Sequence, residues 1–397
     1  MDSKKLATLP ALVLASAGAA AGEWDTTGFV GVDSRAFRED GSFATQSDDL
    51  ESSLQLQAEA YWRSDDGRYR FSAVGFGRYD GEDDERSHVD LREAYWGYDG
   101  DGWDVSIGLR KIFWGVAESR HLVDVINQTD LVEDIDQEDK LGQPMINVNL
   151  RRGYGRFELY VMPRFRERTF PGSEGRLRAG LMVDSDSPIY ASPDGERHAD
   201  FALRWSHYIG DVDIGAYVFD GTSREPSFVL AEEGDRLLPF YSQIKQVGVD
   251  AQLTRDSWLW KFEGLRRETR EETFSAAVAG LEYTFYGIGM GGADLGVLFE
   301  YLYDGRGVDA PLTLFDDDVF VGARFAFNDA SDTSVLAGAV VDSNTHEIFF
   351  NLEAERRFGD NVTVDLGLRA FSRAQPGDAL SAFEDDDYLQ LSVSWFF

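Results

Sequence analysis

The sequence predicts an all-β fold, namely a transmembrane, antiparallel, up-and-down β-barrel of about 18 strands. Segments of about ten residues recur along the chain, and in each of them apolar and polar residues alternate. The connections between these segments are alternately short and long. The last segment, residues 388–397, alternates to its final residue. A barrel of about 16 strands is the alternative, because residues 264–286 can be divided in two ways.

The N-terminal stretch, residues 1–21, predicts a cleaved signal peptide. Two lysines precede an apolar run over 6–21, and the three alanines from Ala19 to Ala21 fit an A-x-A cleavage site. A cut after Ala19 is also compatible with the pattern. We therefore expect residues 22–397 to form one exported β-barrel domain.

The composition excludes several classes of function. The chain has 397 residues, a formal net charge of −34 and no cysteine, so disulfides, zinc-thiolate sites, iron–sulfur clusters and cysteine nucleophiles are excluded. Nucleic acid is not expected as a partner, because its binding requires clustered Lys and Arg. The 28 Phe, 16 Tyr and 40 Gly, with only 10 Pro, suit twisted strands joined by tight turns.

Each predicted strand has one apolar and one polar face. In the segment 54–62, for example, Leu54 and Leu56 alternate with Gln55 and Gln57. The first strand is predicted near residues 26–37. The same alternation occurs over 69–75, 156–161, 246–253, 258–263, 362–369 and 388–397. Lipid outside and water inside would explain this pattern in a barrel.

The turns and loops indicate which end of the barrel is which. Short turns are predicted at 64–67, 99–102, 152–155, 209–211, 254–256, 328–330 and 358–361. Longer, mostly acidic loops are predicted at 37–50, 79–88, 114–144, 166–199, 220–242, 305–317 and 373–386. Short periplasmic turns and long external loops are typical of outer-membrane barrels, so we expect both termini to be periplasmic.

Aromatic residues near the strand ends predict interfacial girdles. These are Trp62, Tyr79, Trp96, Tyr98, Trp103, Phe113, Trp258, Tyr283, Phe285, Tyr301 and Tyr303.

The third long loop, residues 114–144, is predicted to fold into the mouth of the barrel. It is too rich in regularly placed apolar residues to be disordered. Its apolar positions indicate short helical turns: Leu122, Val123, Val125, Ile126, Leu131, Val132 and Ile135. Trp114 and Gly115, where the strand stops, are predicted to form the loop hinge. An interfacial aromatic residue beside a loop glycine is the alternative interpretation.

Charged residues of this loop and of the neighbouring strands predict a pore constriction. The candidate constriction carboxylates are Glu118, Asp124, Asp130, Glu133, Asp134 and Asp136. The candidate basic lumen residues are Arg70, Arg92, Arg110, Arg151 and Arg156. The carboxylates would attract cations and repel anions, and basic residues opposite them would create a transverse field that orients dipolar solutes. The carboxylates could instead cap turns in water, and the arginines could pair with Glu59, Asp90 or Glu158.

Neither a metal site nor an enzyme site is predicted. The acidic runs 82–85, 316–318 and 384–387 lack the spacing of a calcium loop, and the five histidines lack ligand spacing. No G-x-S-x-G or H-E-x-x-H motif occurs. We expect no cofactor.

Parts of the sequence also resemble known outer-membrane proteins. The final strand ending in Phe397 resembles the signal that barrel-assembly machinery recognises in Gram-negative bacteria, and the position of the third loop resembles that of general porins. The motif of that loop resembles a poorly characterised family of proteobacterial outer-membrane barrels. The matching residues are Gly108, Arg110, Trp114, Gly115, Asn127, Asp130 and Leu131. The chain lacks the Pro-Glu-Phe-Gly-Gly constriction sequence of trimeric general porins, which leaves the oligomeric state open.

The expected function is therefore a passive outer-membrane channel for small hydrophilic solutes, with a preference for cations. A substrate-specific transporter or exporter of a sugar, an acidic polymer or an apolar compound is the alternative. A structural barrel that anchors a partner is less favoured, because the predicted lumen faces are rich in charge. The expected partners are outer-membrane lipid and lipopolysaccharide, the barrel-assembly machinery and small solutes.

Overall fold

The computed structural model describes residues 22–270, 272–289, 291–374 and 379–397, so the predicted signal peptide lies outside the described residues. Eighteen strands form one sheet. They are β1 (Gly22–Phe37), β2 (Leu50–Ser64), β3 (Tyr69–Asp80), β4 (His88–Gly100), β5 (Trp103–Arg110), β6 (Gln143–Arg152), β7 (Gly155–Met162), β10 (Asp200–Ile209), β11 (Val212–Thr222), β14 (Gln243–Arg255), β15 (Trp258–Glu268), β16 (Thr273–Ile288), β17 (Ala293–Asp304), β18 (Asp317–Ala326), β19 (Ser334–Asp342), β20 (Ile348–Phe358), β21 (Val362–Ser372) and β22 (Tyr388–Phe396). Four short strands lie in the loops between them: β8 (Met182–Val183), β9 (Ile189–Tyr190), β12 (Ser227–Leu230) and β13 (Arg236–Tyr241).

The sheet closes on itself through its first and last strands. Every barrel strand pairs antiparallel with its neighbours, and β22 pairs with β1 from Phe29 opposite Phe396 to Phe37 opposite Tyr388. Beyond the last strand residue, the backbone N–H of Phe397 donates to the carbonyl of Gly28 at 3.0 Å. The predicted barrel and its 18 strands are confirmed.

The two faces of the sheet follow the predicted alternation. On β6, for example, Ile146 and Leu150 are exposed on the outer face, whereas Asn147 and Asn149 are buried on the inner face. One predicted girdle residue is misplaced: Phe113 follows the end of β5 and packs edge-on against the ring of His121, with the centroids 4.8 Å apart. The strand ends at Arg110, before the position that a girdle residue would need.

The long loops gather at one end of the barrel, and β8, β9, β12 and β13 form a small separate sheet there. The short turns and the described chain ends lie at the other end. Two 3₁₀ helices, Gly195–Arg197 and Ala379–Phe383, lie in the long loops. In the described part of the chain, no helix has the length and hydropathy required to cross a membrane.

The third loop, residues 111–142 and called loop 3 below, contains no helix, so the predicted helical turns are wrong. Its regular features are turns, bends and two isolated bridges, from Thr129 to Lys140 and from Asp130 to Thr169. The reason is a competition for backbone partners, because several N–H groups of the loop donate to carboxylates of the barrel wall instead of to a preceding turn. The spacing of apolar residues in the loop does not show that carboxylates of the barrel wall will accept these N–H groups.

The long loops and the short turns lie at opposite ends of the barrel, which gives a prediction about orientation in the cell. We expect an epitope tag inserted in the exposed turn 232–235, between β12 and β13, to be labelled on intact cells. Tags at Asp65 or Asp360, in short turns at the opposite end, should be labelled only after permeabilisation, because short turns of outer-membrane barrels face the periplasm. Antibody labelling before and after permeabilisation distinguishes the two, and the reversed result contradicts this orientation.

Candidate functional site

Loop 3 crosses the lumen and is held at two nearly opposite walls of the barrel. At the first wall, on β15, the carboxylate of Glu263 accepts three backbone hydrogen bonds from the loop. The donors are Val116 at 2.6 Å, Ala117 at 2.9 Å and Val123 at 3.2 Å. Glu263 itself is fully buried. One wall side chain thus satisfies N–H groups that a helix would have used internally.

Glu300 on β17 provides a second anchor beside the first. Its two carboxylate oxygens each accept a backbone N–H at 2.8 Å, from Glu118 and from Ser119. The hydroxyl of Ser119 donates to the same carboxylate at 2.6 Å. The wall therefore fixes the loop through its backbone, which explains why the loop sequence carried no signal for this contact.

At the opposite wall, arginines of the strands hold the carboxylates of loop 3. The guanidinium of Arg78 on β3 donates to both oxygens of Glu133, with Nε at 3.1 and 3.2 Å. Arg92 on β4 pairs with Asp130, whose side chain is fully buried. Charge-assisted bonds of this kind are stronger than neutral ones, and breaking one partner of a buried pair costs about 3–5 kcal/mol.

The remaining predicted constriction carboxylates also lie beside bases. Asp134 lies 3.7 Å from Arg35 and 3.6 Å from Arg369, and Asp136 lies 3.0 Å from Arg369. Burial, followed by the charge of Asp134, raises the pKa of Asp136 well above its ordinary value in spite of Arg369. This part of the loop contacts the wall, whose arginines compensate its negative charge, and it is not surrounded by water.

Glu118 and Asp124 are paired on the other side of the loop. Glu118 lies 3.3 Å from Lys261 and 2.6 Å from Arg324, and the carboxylate of Asp124 lies 3.5 Å from Lys140. All six predicted carboxylates therefore have basic neighbours. The exposed carboxylates of the loop are Glu138 and Asp139, which follow these six residues in the sequence.

The five predicted basic residues divide into two groups. Of these five, Arg92 alone reaches a carboxylate of the loop. Three others pair with acids of the wall, as the alternative interpretation proposed: Arg70 with Asp99 and Asp104, Arg151 with Asp104, and Arg156 with Glu158 at 2.9 Å. Arg110 donates to Ser106 at 2.7 Å and to Asn147 at 3.2 Å.

The predicted hinge residues lie inside the lumen. Trp114 is buried against the rings of Tyr160 and Tyr217, at centroid distances of 5.6 and 5.0 Å, so it is not an interfacial aromatic residue. Gly115 has a φ of 150°, a conformation that residues with a side chain rarely adopt. A Cβ at this position would lie 3.1 Å from the anchor carboxylate of Glu263, so both the backbone and the available space favour glycine.

Asn127, from the motif, joins the two stems of the loop. Its side-chain carbonyl accepts the N–H of Ile112 at 2.8 Å, and its amide donates to the carbonyls of Arg110 and Leu141, both at 2.8 Å. Because Asn127 is buried, loss of these hydrogen bonds would leave its amide unpaired and destabilise the folded loop. Asn127 therefore stabilises the fold of the loop.

Two groups of side chains have possible metal-ligand atoms within 4.8 Å of one another: His88, Asp130 and Glu133, and Asp316, Asp318 and Asp342. In the first group Arg92 already lies 2.5 Å from Asp130 and compensates its charge. In the second, one oxygen of Asp318 accepts the N–H of Asp316 at 2.7 Å. We assign no metal to either group.

Between loop 3, the other long loops and strands β15 and β18 to β21 lies a cavity of about 400 Å³, called the vestibule cavity below. Its wall includes the lumen-facing side chains of Leu265, Phe320, Val340, Phe349 and Phe371. This cavity was not predicted from the sequence. Runs of consecutive apolar residues at 319–321, 339–341 and 348–350 break the alternation in β18 to β20, and this was the signal available.

Solved structures with a similar barrel include porins. Two mutants of a porin from Rhodopseudomonas blastica are 12% identical to this chain, cover 94% of it and 100% of their own chains, and give TM-scores of 0.44 and 0.45. In-vitro folded OmpT, an outer membrane protein of Vibrio cholerae in its trimer form, is 9% identical, covers 95% and 100%, and gives 0.45. The barrel is similar to porins. No family model and no curated protein matches the chain. Because these identities and TM-scores are low, the function proposed below rests on the residues of this chain.

The anchor at Glu263 gives a prediction about the pore. We expect Glu263→Ala to raise single-channel conductance and current noise, because three backbone N–H groups of loop 3 lose their acceptor. Each unsatisfied buried group costs about 1–3 kcal/mol, which favours release of the loop from the wall. Planar-bilayer recording measures the change.

The matched control for this variant is Glu282→Ala. Glu282 lies on the same inner face and pairs with Lys261, and within the described residues it accepts no bond from the loop. Equal traces for both variants and the wild type would contradict the anchor.

Proposed function

We propose that this protein is an outer-membrane channel for the passive diffusion of small hydrophilic solutes. The observation that carries the proposal is a closed 18-stranded barrel whose lumen is crossed by an anchored loop. Barrels of about 16–18 strands are wide enough to enclose an aqueous lumen, and a loop across that lumen limits the size of what passes. Loop 3 has this position here.

The outer surface supports a membrane location. Large apolar side chains are exposed around the barrel, including Val89 at 78%, Leu54 at 54%, Phe201 at 49% and Trp258 at 40%. Soluble monomeric proteins rarely expose apolar patches larger than a few hundred Å². A lipid bilayer would cover this belt, and closure of the sheet leaves no unpaired strand edge in lipid.

Liposome swelling tests the channel. We expect proteoliposomes to swell in sugars of small size and progressively less in larger ones, because the anchored loop sets a size limit. The same protein denatured by heat before reconstitution is the control for leakage. Saturable entry of one sugar would favour a specific transporter, whereas the absence of swelling for every solute would overturn the proposed channel.

Support for a preference for cations comes from the exposed carboxylates of loop 3. Its buried carboxylates have basic partners, but Glu138 and Asp139 extend into the lumen without an ion pair in the described part of the chain. Desolvation inside the lumen, followed by the charge of Glu133, raises the pKa of Asp139 to about 6. Asp139 is therefore charged at neutral pH and loses its charge on acidification through that value.

We expect the combined variant Glu138→Gln and Asp139→Asn to shift the reversal potential in a KCl gradient toward zero, because negative charge in the pore concentrates K⁺. Acidifying the wild type from about pH 7.5 to about pH 5 should act in the same direction, and dilute salt should enlarge both effects. Asp65→Asn with Asp101→Asn removes the same charge from the short-turn end and serves as the control. A preference for anions in the wild type would contradict this proposal.

A second candidate function is substrate-specific transport of an apolar compound. The observation that favours it is the apolar wall of the vestibule cavity. A channel that only selects hydrophilic solutes by size does not require an apolar wall.

A further inference from the structure

The apolar wall of the vestibule cavity lies where a water-filled barrel would be polar. Lumen-facing positions of membrane barrels are usually hydrophilic. Here β15, β18, β19, β20 and β21 instead present Leu265, Phe320, Val340, Phe349 and Phe371 to the inside. Apolar residues of loop 3 and of the other long loops complete the lining, among them Leu122, Ile135, Phe170, Phe228, Phe315 and Phe383.

The cavity is large enough to hold a small organic ligand. Protein interiors contain few voids larger than a water molecule, whereas ligand pockets measure about 300–1,000 Å³. The vestibule cavity, at about 400 Å³, lies in the range of ligand pockets. Its apolar surface is best compensated by an occupant that has an apolar body.

With one exception among the described residues, each cationic side chain around the cavity either pairs with a carboxylate or donates to several oxygen atoms. Arg224 pairs with Asp200 at 2.7 Å, and Arg120 with Asp304 at 3.1 Å. Arg306 pairs with Asp304, Arg267 with Glu225 and Lys140 with Asp124. Arg178 donates to the carbonyls of Ser173 and Ala179 and to the hydroxyl of Thr45.

Arg168, in the loop between β7 and β8, is the exception. Its Nε donates to the side-chain oxygen of Gln128 at 3.3 Å, and no carboxylate forms an ion pair with it in the described part of the chain. Burial lowers the pKa of its guanidinium in spite of the charge of Glu225. The protein therefore does not fully compensate this charge, and an anion in the cavity would.

We propose that the vestibule cavity binds amphipathic organic acids, with the carboxylate of the ligand on Arg168 and its apolar body against the wall that includes Phe320 and Phe349. The apolar wall disfavours sugars, because a sugar would leave its hydroxyl groups unpaired against it. Next to Arg168, an anion is favoured over an organic cation. The inference depends on the proposed channel function in one respect, namely the route by which the acid leaves the cavity.

Current block in planar bilayers tests the site with phenylbutyrate as the probe. We expect phenylbutyrate added on the long-loop side to interrupt the K⁺ current in a saturable manner. Two matched compounds test the charge and the apolar body of the probe separately. Phenylbutanol keeps the apolar body without the charge, and acetate keeps the charge without the body. Both should block more weakly than the acid.

Two variants locate the two ends of the ligand. Arg168→Gln should weaken block by phenylbutyrate about tenfold or more, the value of a lost charged hydrogen bond, and leave block by phenylbutanol unchanged. Phe349→Ala should weaken block by both compounds. Arg164→Gln is the control, because Arg164 lies in the same loop, is exposed and pairs with Glu196 at 2.8 Å.

The outcomes separate this inference from the proposed channel. Normal K⁺ current that phenylbutyrate leaves unaffected would overturn the inference and leave the channel intact. Equal weakening by Arg168→Gln of the acid and the alcohol would overturn the role of Arg168. Without any current, the proposed channel fails, and calorimetric titration of the detergent-solubilised protein with phenylbutyrate decides the inference. Heat that saturates in the wild type and is lost in Arg168→Gln supports it, and absence of saturable heat overturns it.

Discussion

The structure depends on the contacts that hold loop 3 across the lumen. Glu263 and Glu300 accept backbone N–H groups of the loop at one wall, and arginines such as Arg78 and Arg92 hold its carboxylates at the other. These side chains are buried, so each broken contact would leave a buried charge or donor unpaired. The loop is therefore a fixed part of the wall, and the shape of the pore follows from it.

This anchoring divides the inside of the barrel into regions of different chemistry. Near the seam between β1 and β22, acids and arginines neutralise one another around Asp33, which lies 3.2 Å from Arg86 and 3.5 Å from Arg78. From β15 and from β18 to β21, apolar side chains face the vestibule cavity. The net charge of −34 therefore does not indicate the local electrostatic field inside the barrel. The proposed preference for cations depends on the exposed Glu138 and Asp139, and the proposed binding of an organic acid depends on Arg168.

Much of the fold could be predicted because a membrane barrel imposes a simple rule on sequence. A strand with lipid on one side and lumen on the other must alternate, and closure requires that the first and last strands pair. Residues 388–397 follow the rule to the end, and the structure pairs them with β1. The rule weakens in β18 to β20, where runs of consecutive apolar residues place side chains such as Phe320 and Phe349 on the lumen face, and the vestibule cavity there was not predicted. It does not apply to loops at all, which is why helical turns were wrongly predicted between Leu122 and Ile135.

The sequence by itself determined the barrel, its strand number and the existence of a long third loop, since these follow from local periodicity and turn spacing. It also identified charged residues of that loop and wall. Only the tertiary structure decided which charges meet, because partners such as Arg369 and Asp136, or Glu263 and Val116, are far apart in the chain and are brought together by closure of the barrel. Whether a carboxylate is neutralised, as Asp130 is, or exposed to the pore depends on its position in the lumen, and local sequence does not encode that position.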